Sequence, residues 1–582
     1  MHILGVSDSH DAGAAIIKDG KIIVAVSEER LCREKFAYGF PFKSIKEVLR
    51  LANLKKEDIS YIIKGGLPYP YLYSFYNTSR NGNGRQLPEI KLDEIYNASL
   101  FHRLLINVLK KRQVYSAQEL DDFKNIKRFD NPSSRLTKQS LRKLGLRQKV
   151  YFLDHHYSHL ASAFYTSGFD KALVFSLDFS GDNKSGMVGV GSKNKIDVVE
   201  ALDAQNSVGC FYGFITKGLG FKLNRHEGKI VGLAAYGDPE KLYSLFSKFI
   251  RHSKSRIIVK NRYQLLALAE KLKDKEAKNV AAAAQKLLEE VTASWVRFFV
   301  EKHQIYDLVL TGGVFANVKL NQRIKEIKGV RNLWVFPNMG DGGLAAGAAL
   351  EFYHRLNKNT RNYRLQHVYL GSDYSNEQIE KELQRSGVDY IYHQNIEKII
   401  AQLVSQGKVV ARFNGAMEYG PRALGNRSII YEAKDPSVNK WLNERLKRTE
   451  FMPFAPATLF EDRGKCYKNT GCAEHSAEFM TITFDCTDFM KKNSPAAVHV
   501  DGTARPQLVK KEINLSFYKI IREYKKIAKI PTLINTSFNM HEEPIVCSPY
   551  DAIRSFQQGN LDYLAIGNFL VHNALASKSK KK

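Results

Sequence analysis

The sequence predicts an α/β protein in which one structural unit occurs twice and is followed by a second, basic domain. The unit is a buried strand, a polar turn that carries an aspartate, and a second strand. It occupies residues 2–27 and returns at 171–191. Two copies of such a unit are expected to form two sheets with a cleft between them. Because 582 residues exceed one ordinary core, we expect more than one domain.

The first unit starts with the strand HILGVS, and the turn after it contains Asp8 and His10. Lys18-Asp19-Gly20 predicts a hairpin between the next two strands. Actin-like and sugar-kinase-like nucleotide-binding folds begin in this way, so we expect a duplicated, RNase H-like and actin-like fold. Ligands of α/β sheets collect at strand ends, which makes Asp8 and His10 candidate site residues. The charged stretch that follows, which includes Lys35, is either part of the site or a salt-bridged surface loop. Residues 43–57 predict an amphipathic helix, and another helix is expected around 98–112.

The stretch LDHHYSHLASAF predicts a helix that offers two histidines to one metal ion. If Asp154 caps this helix, His155 and His159 stand at i and i+4 and share one face. His156 would point elsewhere. Asp341, in a glycine-rich turn after a strand, is a plausible third ligand. The alternative is an ordinary pair of surface or core histidines, because a helix of this kind lacks the glutamate of a zinc protease.

Further polar residues of the first part follow predicted strands or precede glycine-rich helices. Asp178, a candidate catalytic residue, ends the first strand of the second unit. NRHEGKIVGLAAYG places Glu227 and Lys229, candidate nucleotide-binding residues, before a helix. The predicted turn TGG could bring the backbone of Gly312 and Gly313 close to a phosphate at the start of the Asn317 helix.

The composition becomes polar and basic around 354–366, where we expect the domain boundary. Beyond it, cationic side chains and small hydrogen-bonding side chains lie near glycine, proline or asparagine turns. They are Arg422, Arg427, Lys447, Arg448, Arg505, Asn535, Ser537 and Asn539. Together they predict a site for polyanions. The alternative for any single arginine is an ordinary surface residue.

The formal net charge of +28 is compatible with nucleic acid, an anionic surface or acidic small molecules as partners. The lysines and arginines are scattered, which favours a solvated basic surface over a dedicated nucleic-acid face. Six cysteines without regular spacing predict reduced thiols. Since no segment approaches a membrane span and the start of the chain is unlike a signal peptide, we expect a soluble cytoplasmic protein.

Eleven motifs, in order along both halves of the chain, resemble the NodU/CmcH-type carbamoyltransferases. They are GVSDSHDA, SEER, HHYSHLASAF, SLDFSGD, EGKIVGLAAYG, TGGVFANVKLN, GDGGLAAGAAL, EYGPRALGNRSI, PFAP, DGTARPQ and NTSFN. The resemblance implies an actin-like domain at 1–360, with a basic insert at 70–146, and a YrdC-like domain at 361–575. A basic tail at 576–582 follows.

The resemblance also implies the chemistry. The YrdC-like domain would use ATP, with Mg²⁺, to convert carbamoyl phosphate into carbamoyl adenylate and pyrophosphate. The actin-like domain, with bound Fe²⁺ or a similar divalent metal, would pass the carbamoyl group to a hydroxyl of a small molecule or sugar. His155, His159 and Asp341 match the family's metal ligands. Asp8, His10 and Lys35 match its catalytic residues, and Arg505 and Ser537 match residues of its activation site.

One segment departs from the family pattern. Where many members have K-x-R-E-x-aromatic-R before PFAP, this chain has LKRTEFM, with Leu446 opposite the lysine and Met452 opposite the second arginine. Either Lys447 takes over from the neighbouring position or the phosphate contacts are shared differently. The alternative function is threonylcarbamoyl-type tRNA modification, which would suit the charge. DGTARPQ and EYGPRALGNRSI favour small-molecule carbamoylation instead, and the sequence contains no recognised RNA-binding module.

Overall fold

Two five-stranded mixed sheets with the same topology form the N-terminal part of the molecule, residues 2–356. The computed structural model describes residues 1–68 and 132–573. In the first sheet the strand order is β3-β2-β1-β4-β5. The central strand β1 pairs antiparallel with β2 and parallel with β4. The strands are β1 (His2–Ser7), β2 (Gly13–Lys18), β3 (Lys21–Ser27), β4 (Ile59–Gly65) and β5 (Val150–Leu153).

The second sheet repeats this arrangement. Its order is β12-β11-β6-β7-β8, with β6 antiparallel to β7 and parallel to β11. Its strands, and the separate pair β9 and β10, are β6 (Lys171–Gly181), β7 (Lys184–Ser192), β8 (Lys195–Asp203), β9 (Ile250–Ser253), β10 (Arg256–Val259), β11 (Asp307–Thr311) and β12 (Asn332–Val335). The predicted duplication is therefore confirmed, as are the α/β class and the hairpin at Lys18-Asp19-Gly20.

Two helices, His155–Phe164 and Leu344–Leu356, pack closely between these sheets because small residues lie at their contacts. A Cβ at Gly347 would lie 1.9 Å from the carbonyl oxygen of Ser158, and one at Gly5 would lie 1.9 Å from that of Ala345. The helices of this part are α1 (Glu28–Cys32), α2 (Phe42–Leu51), α3 (Pro132–Lys143), α4 (His155–Phe164), α5 (Val208–Gly218), α6 (Glu227–Ala234), α7 (Glu240–Phe246), α8 (Arg262–Lys271), α9 (Ala277–His303), α10 (Val318–Lys325) and α11 (Leu344–Leu356). Close packing of α4 on α11 fixes the position of the histidines.

An eight-stranded sheet organises the C-terminal part, residues 376–573. Its order is β13-β22-β21-β14-β15-β20-β16-β19. These strands, and the short pair β17 and β18, are β13 (Tyr390–Tyr392), β14 (Val410–Phe413), β15 (Arg427–Glu432), β16 (Ala455–Leu459), β17 (Phe484–Asp485), β18 (Thr503–Ala504), β19 (Gln507–Val509), β20 (Thr532–Ser537), β21 (Tyr563–Ile566) and β22 (Phe569–His572).

Amphipathic helices cover this sheet. The helix at Leu515–Ala528 buries Phe517, Ile520, Ile521 and Tyr524, which recur at helical spacing. The helices are α12 (Asn376–Arg385), α13 (Ile396–Ser405), α14 (Val438–Arg445), α15 (Arg463–Cys466), α16 (Glu474–Ala477), α17 (Asp488–Asn493), α18 (Leu515–Ala528) and α19 (Pro549–Gln558).

Several sequence expectations can be compared directly. The helix predicted at 43–57 is shorter, Phe42–Leu51, because a turn and a 3₁₀ segment precede β4. All six cysteines are free thiols, as expected. Most of the predicted insert, its helix around 98–112 and the basic tail lie outside the described residues. No helix in the described ranges is long and apolar enough to cross a membrane.

Candidate active site and metal centre

Helix α4 begins at His155 and places two imidazoles on one face. As predicted, Asp154 caps it, because its carboxylate accepts from the Tyr157 amide at 3.0 Å. A second carboxylate, Asp182, accepts from the His155 amide at 2.7 Å. His156 points away, and its Nδ1 is hydrogen-bonded to the Ser176 hydroxyl at 2.7 Å. The local fold thus presents His155 and His159 together.

Two carboxylates meet these imidazoles. Asp341 Oδ1 lies 3.5 Å from Nε2 of both His155 and His159. Asp178 Oδ2 lies 3.2 Å from His159 Nε2. Ligand atoms of all four residues lie within 4.8 Å of one another. The structure therefore brings together the three predicted metal ligands and adds Asp178, which the sequence suggested only as a catalytic residue.

This cluster is suited to a divalent transition-metal ion. Nε2 of His155 and Nδ1 of His159 are buried without a hydrogen-bond partner among the described residues. Buried polar atoms of this kind are costly unless they bind something. Two imidazole nitrogens and two carboxylate oxygens form a donor set for such an ion. Burial opposes the charged form of His159, but Asp178 and Asp341 outweigh it and raise its pKa to about 9.

A glycine turn holds Asp178 in place. The amide of Gly313 donates to Asp178 Oδ2 at 2.9 Å. Gly312 has a φ of 92°, and a Cβ there would lie 2.2 Å from the carbonyl oxygen of Leu177 on the neighbouring strand. The turn predicted to approach a phosphate thus donates a hydrogen bond to a carboxylate of the same sheet. Asn317, which the sequence also suggested for nucleotide binding, caps α10 and is hydrogen-bonded to Gln285.

Asp8 is buried beside a lysine that sequence reasoning missed. Lys64 Nζ lies 2.9 Å from Asp8 Oδ1, and both side chains are almost fully buried. Lys64 lies on strand β4. A single lysine within the otherwise apolar strand segment YIIKGG was the available signal, since an unpaired buried charge is costly. The pair fixes the Asp8 carboxylate at the carboxyl end of the central strand β1.

His10 lies near the four-residue cluster. Its Nδ1 is 3.1 Å from Asp11 Oδ2, and its ring stacks on Phe36 with 5.3 Å between centroids. Burial disfavours the imidazolium. Nevertheless Asp11 first, and then Asp341 and Asp178, raise the pKa of His10 to about 9. The influence of those two aspartates places His10 within electrostatic range of the proposed metal ligands.

Three arginines converge in the C-terminal part. Burial is the main cause that lowers the pKa of Arg422, Arg448 and Arg505, and the Glu450 carboxylate acts on all three in the opposite direction. Arg422 also depresses the pKa of Arg505, so these two guanidiniums interact electrostatically. Nε of each is buried without a hydrogen-bond partner in the described structure. Such an arrangement of cations favours an anion.

The loop after β20 orients Arg448. Its guanidinium donates to the carbonyl oxygens of Ser537 and Asn539 at 2.8 and 2.6 Å, and to Asn539 Oδ1 at 2.9 Å. Lys35 of the N-terminal part lies near this group. Burial lowers the pKa of Lys35, Glu29 and Glu542 oppose this effect, and Arg448 adds to it. Ser537 and Asn539, two of the predicted activation-site residues, therefore accept hydrogen bonds that orient the Arg448 guanidinium.

Arg427 does not join these arginines. It is fully buried, and it donates to the carbonyl oxygens of Asn414 and Gly415 at 3.1 and 2.8 Å and to that of Ser372 at 3.0 Å. Its guanidinium lies 3.7 Å from the Phe413 ring centroid. These contacts occupy it within the fold, a result that its glycine-rich sequence context did not reveal.

The remaining predicted residues of the C-terminal part, Asn535 and Lys447, lie in different environments. Asn535 donates to the Ala423 carbonyl oxygen at 3.2 Å and to Gln507 at 2.7 Å, so it supports the loop that carries Arg422. The Lys447 side chain is exposed, and its backbone has a φ of 56°. In its exposure Lys447 therefore differs from the three half-buried arginines.

Glu227 and Lys229 lie at the contact between the two parts of the chain. Lys229 Nζ donates to Thr449 Oγ1 at 2.7 Å, and Glu227 accepts from the Asn224 amide at 2.7 Å. A pocket of about 280 Å³ lies beside this contact. It is lined by α6 and α9 on one side and by residues 452–454 and 497–505, including Arg505, on the other.

Comparison with known proteins assigns the chain to a family. The family model described as carbamoyltransferase N-terminus matches residues 2–350, and the one described as carbamoyltransferase C-terminus matches 401–573. An uncharacterized protein of Methanocaldococcus jannaschii is 32% identical over 98% of this chain and 99% of its own length. Nodulation protein NolNO of Sinorhizobium fredii is 31% identical over 98% of this chain and 80% of its own.

An uncharacterized protein of Synechocystis is 30% identical over 98% of this chain and 96% of its own length. With two family models spanning nearly the whole sequence and relatives of matching length, the protein belongs to the carbamoyltransferase family and is a carbamoyltransferase.

Proposed function

We propose that the enzyme is an ATP-dependent O-carbamoyltransferase with two separate sites. A YrdC-like C-terminal domain would form carbamoyl adenylate, and a duplicated actin-like N-terminal domain would transfer the carbamoyl group to a hydroxyl of a small molecule or sugar. Carbamoyl adenylate contains no phosphate from carbamoyl phosphate. Activation must therefore consume one water and release inorganic phosphate as well as pyrophosphate. The observation that carries this proposal is the group of three half-buried arginines beside the contact with the other domain.

Activation needs concentrated positive charge. Both carbamoyl phosphate and ATP, as its Mg²⁺ complex, are polyanions that repel each other, and cations in a desolvated site offset that repulsion. Arg422, Arg448 and Arg505 supply such charge, and the raised desolvation cost of these guanidiniums would be relieved by a bound phosphate. Ser537 and Asn539 would keep Arg448 in place through the hydrogen bonds described above. Lys447, being exposed, would reach a substrate only at the rim.

Transfer needs a polarised carbamoyl group and a hydroxyl nucleophile. His155, His159, Asp178 and Asp341 would hold a divalent ion, which when bound would withdraw electrons from the carbamoyl oxygen. His10 would accept the proton of the acceptor hydroxyl. Part of its raised pKa comes from Asp178 and Asp341, and neutralising their charge lowers that pKa toward the working range of a general base. Asp8, fixed by Lys64, would orient the acceptor.

Carbamoyl adenylate hydrolyses readily, so the two sites need an enclosed connection. Lys35 is influenced electrostatically by Arg448, and the residue next to it, Phe36, stacks on His10. The pocket of about 280 Å³ reaches Arg505 from the domain contact. These features support a short route between the arginines and the transfer site.

The test is incubation with ATP, Mg²⁺, carbamoyl phosphate and candidate hydroxyl compounds. We expect AMP and pyrophosphate among the products and a mass increase of one carbamoyl group on an acceptor. Release of ADP without any need for carbamoyl phosphate would indicate a kinase and contradict the proposal. A requirement for threonine and tRNA would instead favour the tRNA modification to which the net charge of +28 is suited.

A further inference from the structure

A single loop of the C-terminal domain, residues 539–545, touches elements of both proposed sites. At its start, Asn539 accepts hydrogen bonds from Arg448, one of the three converging arginines. Near its end, two consecutive carbonyl oxygens accept from the guanidinium of Arg33 at 2.8 and 2.7 Å. Arg33 belongs to the N-terminal domain, where it follows helix α1. The loop therefore bridges the two domains directly beside the activation site.

Glu542, at the centre of this loop, reaches into a cationic turn of the other domain. Its carboxylate lies 3.2 Å from Lys222 Nζ, 3.8 Å from Arg225 Nη1 and 3.1 Å from His226 Nε2. Burial opposes its charged form, but His226 and Lys222 outweigh burial and lower the pKa of Glu542 to about 2. The residue has a φ of 60°, a left-handed conformation that glutamate rarely adopts. The backbone is thus held in an unfavourable state that aims this side chain across the domain contact.

The turn that Glu542 contacts continues to the transfer site. The Arg225 guanidinium lies 5.6 Å from the centroid of the Phe36 ring, and the imidazole of His10 stacks on the same ring. Lys35 Nζ also lies 5.5 Å from that centroid. A chain of contacts therefore runs from Arg448 through the 539–545 loop and Arg225 to the candidate base.

We infer that Glu542 is a positioning residue that closes the route between the two sites by holding the 539–545 loop against residues 222–226. The inference rests on the proposed function. With the contact in place, carbamoyl adenylate is protected from hydrolysis until an acceptor binds. Without it, water adds to the intermediate and cleaves it to carbamate and AMP, and the vacated arginine site forms the next molecule.

Omitting the acceptor provides the most informative assay. With ATP, Mg²⁺ and carbamoyl phosphate alone, the wild-type enzyme should release a burst of about one pyrophosphate per chain and then slow down. E542Q, which keeps the size of the side chain and removes its charge, should continue at a rate at least about tenfold faster. The matched control is E523Q. Glu523 is paired at 2.7 Å with Lys526 of the same helix, α18, and this variant should behave like the wild type.

Two further readouts keep the inference separate from a general loss of structure. Hydrogen exchange of amides 222–226 should accelerate several-fold in E542Q and not in E523Q. E542D, which retains the charge, should restore both the burst and the slow exchange. The inference is overturned if E542Q shows the wild-type burst, or if its 222–226 amides exchange at the wild-type rate. A wild-type enzyme that releases no pyrophosphate would overturn the proposed function, and this inference with it, even where exchange shows the contact.

Discussion

The four-residue cluster leads to a direct prediction about metal binding. Replacing His159 by Ala removes the proposed ligand whose Nε2 lies 3.2 Å from Asp178 and 3.5 Å from Asp341. We expect the purified variant to lose stoichiometric divalent metal and at least about 100-fold in transfer rate, while its fold is kept, because two histidines on a helix cannot be replaced by one. Elemental analysis and circular dichroism measure these effects.

The control for this variant is His572→Ala, which removes an exposed histidine at the end of strand β22. It should bind metal as the wild type does. Full metal occupancy in the His159 variant would show that the ion is held elsewhere.

A second residue-scale prediction concerns activation. Arg505→Ala should reduce carbamoyl-phosphate-dependent pyrophosphate release by roughly 100- to 1000-fold, the usual effect of deleting one donor from a desolvated anion site. Arg385→Ala removes an exposed arginine of the same domain and should leave the rate unchanged. Equal rates in the two variants would exclude Arg505 from the site. Release is followed with a coupled pyrophosphate assay.

At the scale of single residues, chemistry-bearing motifs were easier to predict than the partners that support them. The i,i+4 spacing of His155 and His159 fixes their geometry as soon as a helix forms, and the structure places them as expected. Lys64 and the role of Asp178 depend on how distant strands align. Arg427 was predicted to bind phosphate, but its guanidinium donates to backbone carbonyl oxygens. The local sequence does not distinguish these two roles of an arginine.

At the scale of elements, the contact between α4 and α11 should be sensitive to one methyl group. A Cβ at Gly347 would lie 1.9 Å from the Ser158 carbonyl oxygen, so Gly347→Ala forces backbone to shift. Overpacking of this kind typically costs about 1–3 kcal/mol. We expect a lower midpoint of unfolding in urea and weaker metal binding, because α4 carries both histidines.

Gly228 provides the matched control for this change. It lies in helix α6, and a Cβ there would meet no atom within 4 Å. Gly228→Ala should be neutral or slightly stabilising, since alanine favours a helix more than glycine does. If both variants unfold at the same urea concentration, the close packing of α4 on α11 is not what holds the histidines.

The elements themselves were predictable to different degrees. The repeated strand–turn–strand unit and the 18–20 hairpin follow from alternating apolar residues and turn residues, which act locally. The order of the eight-stranded sheet was beyond such reasoning. There β16 pairs with both β19 and β20, strands far apart in sequence, and only tertiary packing selects those neighbours.

For the molecule as a whole, the two proposed sites lie in parts of the chain that are joined by specific contacts, including the bond from Lys229 to Thr449 and those of the 539–545 loop. The division of labour between the domains is therefore the central claim. The high positive charge adds little to it. Many of the lysines and arginines are exposed, whereas the arginines proposed to bind phosphate are half-buried.

The most direct test of that claim is pyrophosphate release by two variants, His10→Ala and Arg505→Ala, supplied with ATP, Mg²⁺ and carbamoyl phosphate. The account predicts that the His10 variant still releases pyrophosphate, because its arginine site is intact, yet forms no carbamoylated product. The Arg505 variant should release almost none. If the His10 variant loses pyrophosphate release as completely as the Arg505 variant does, activation and transfer share one site, and the account is wrong.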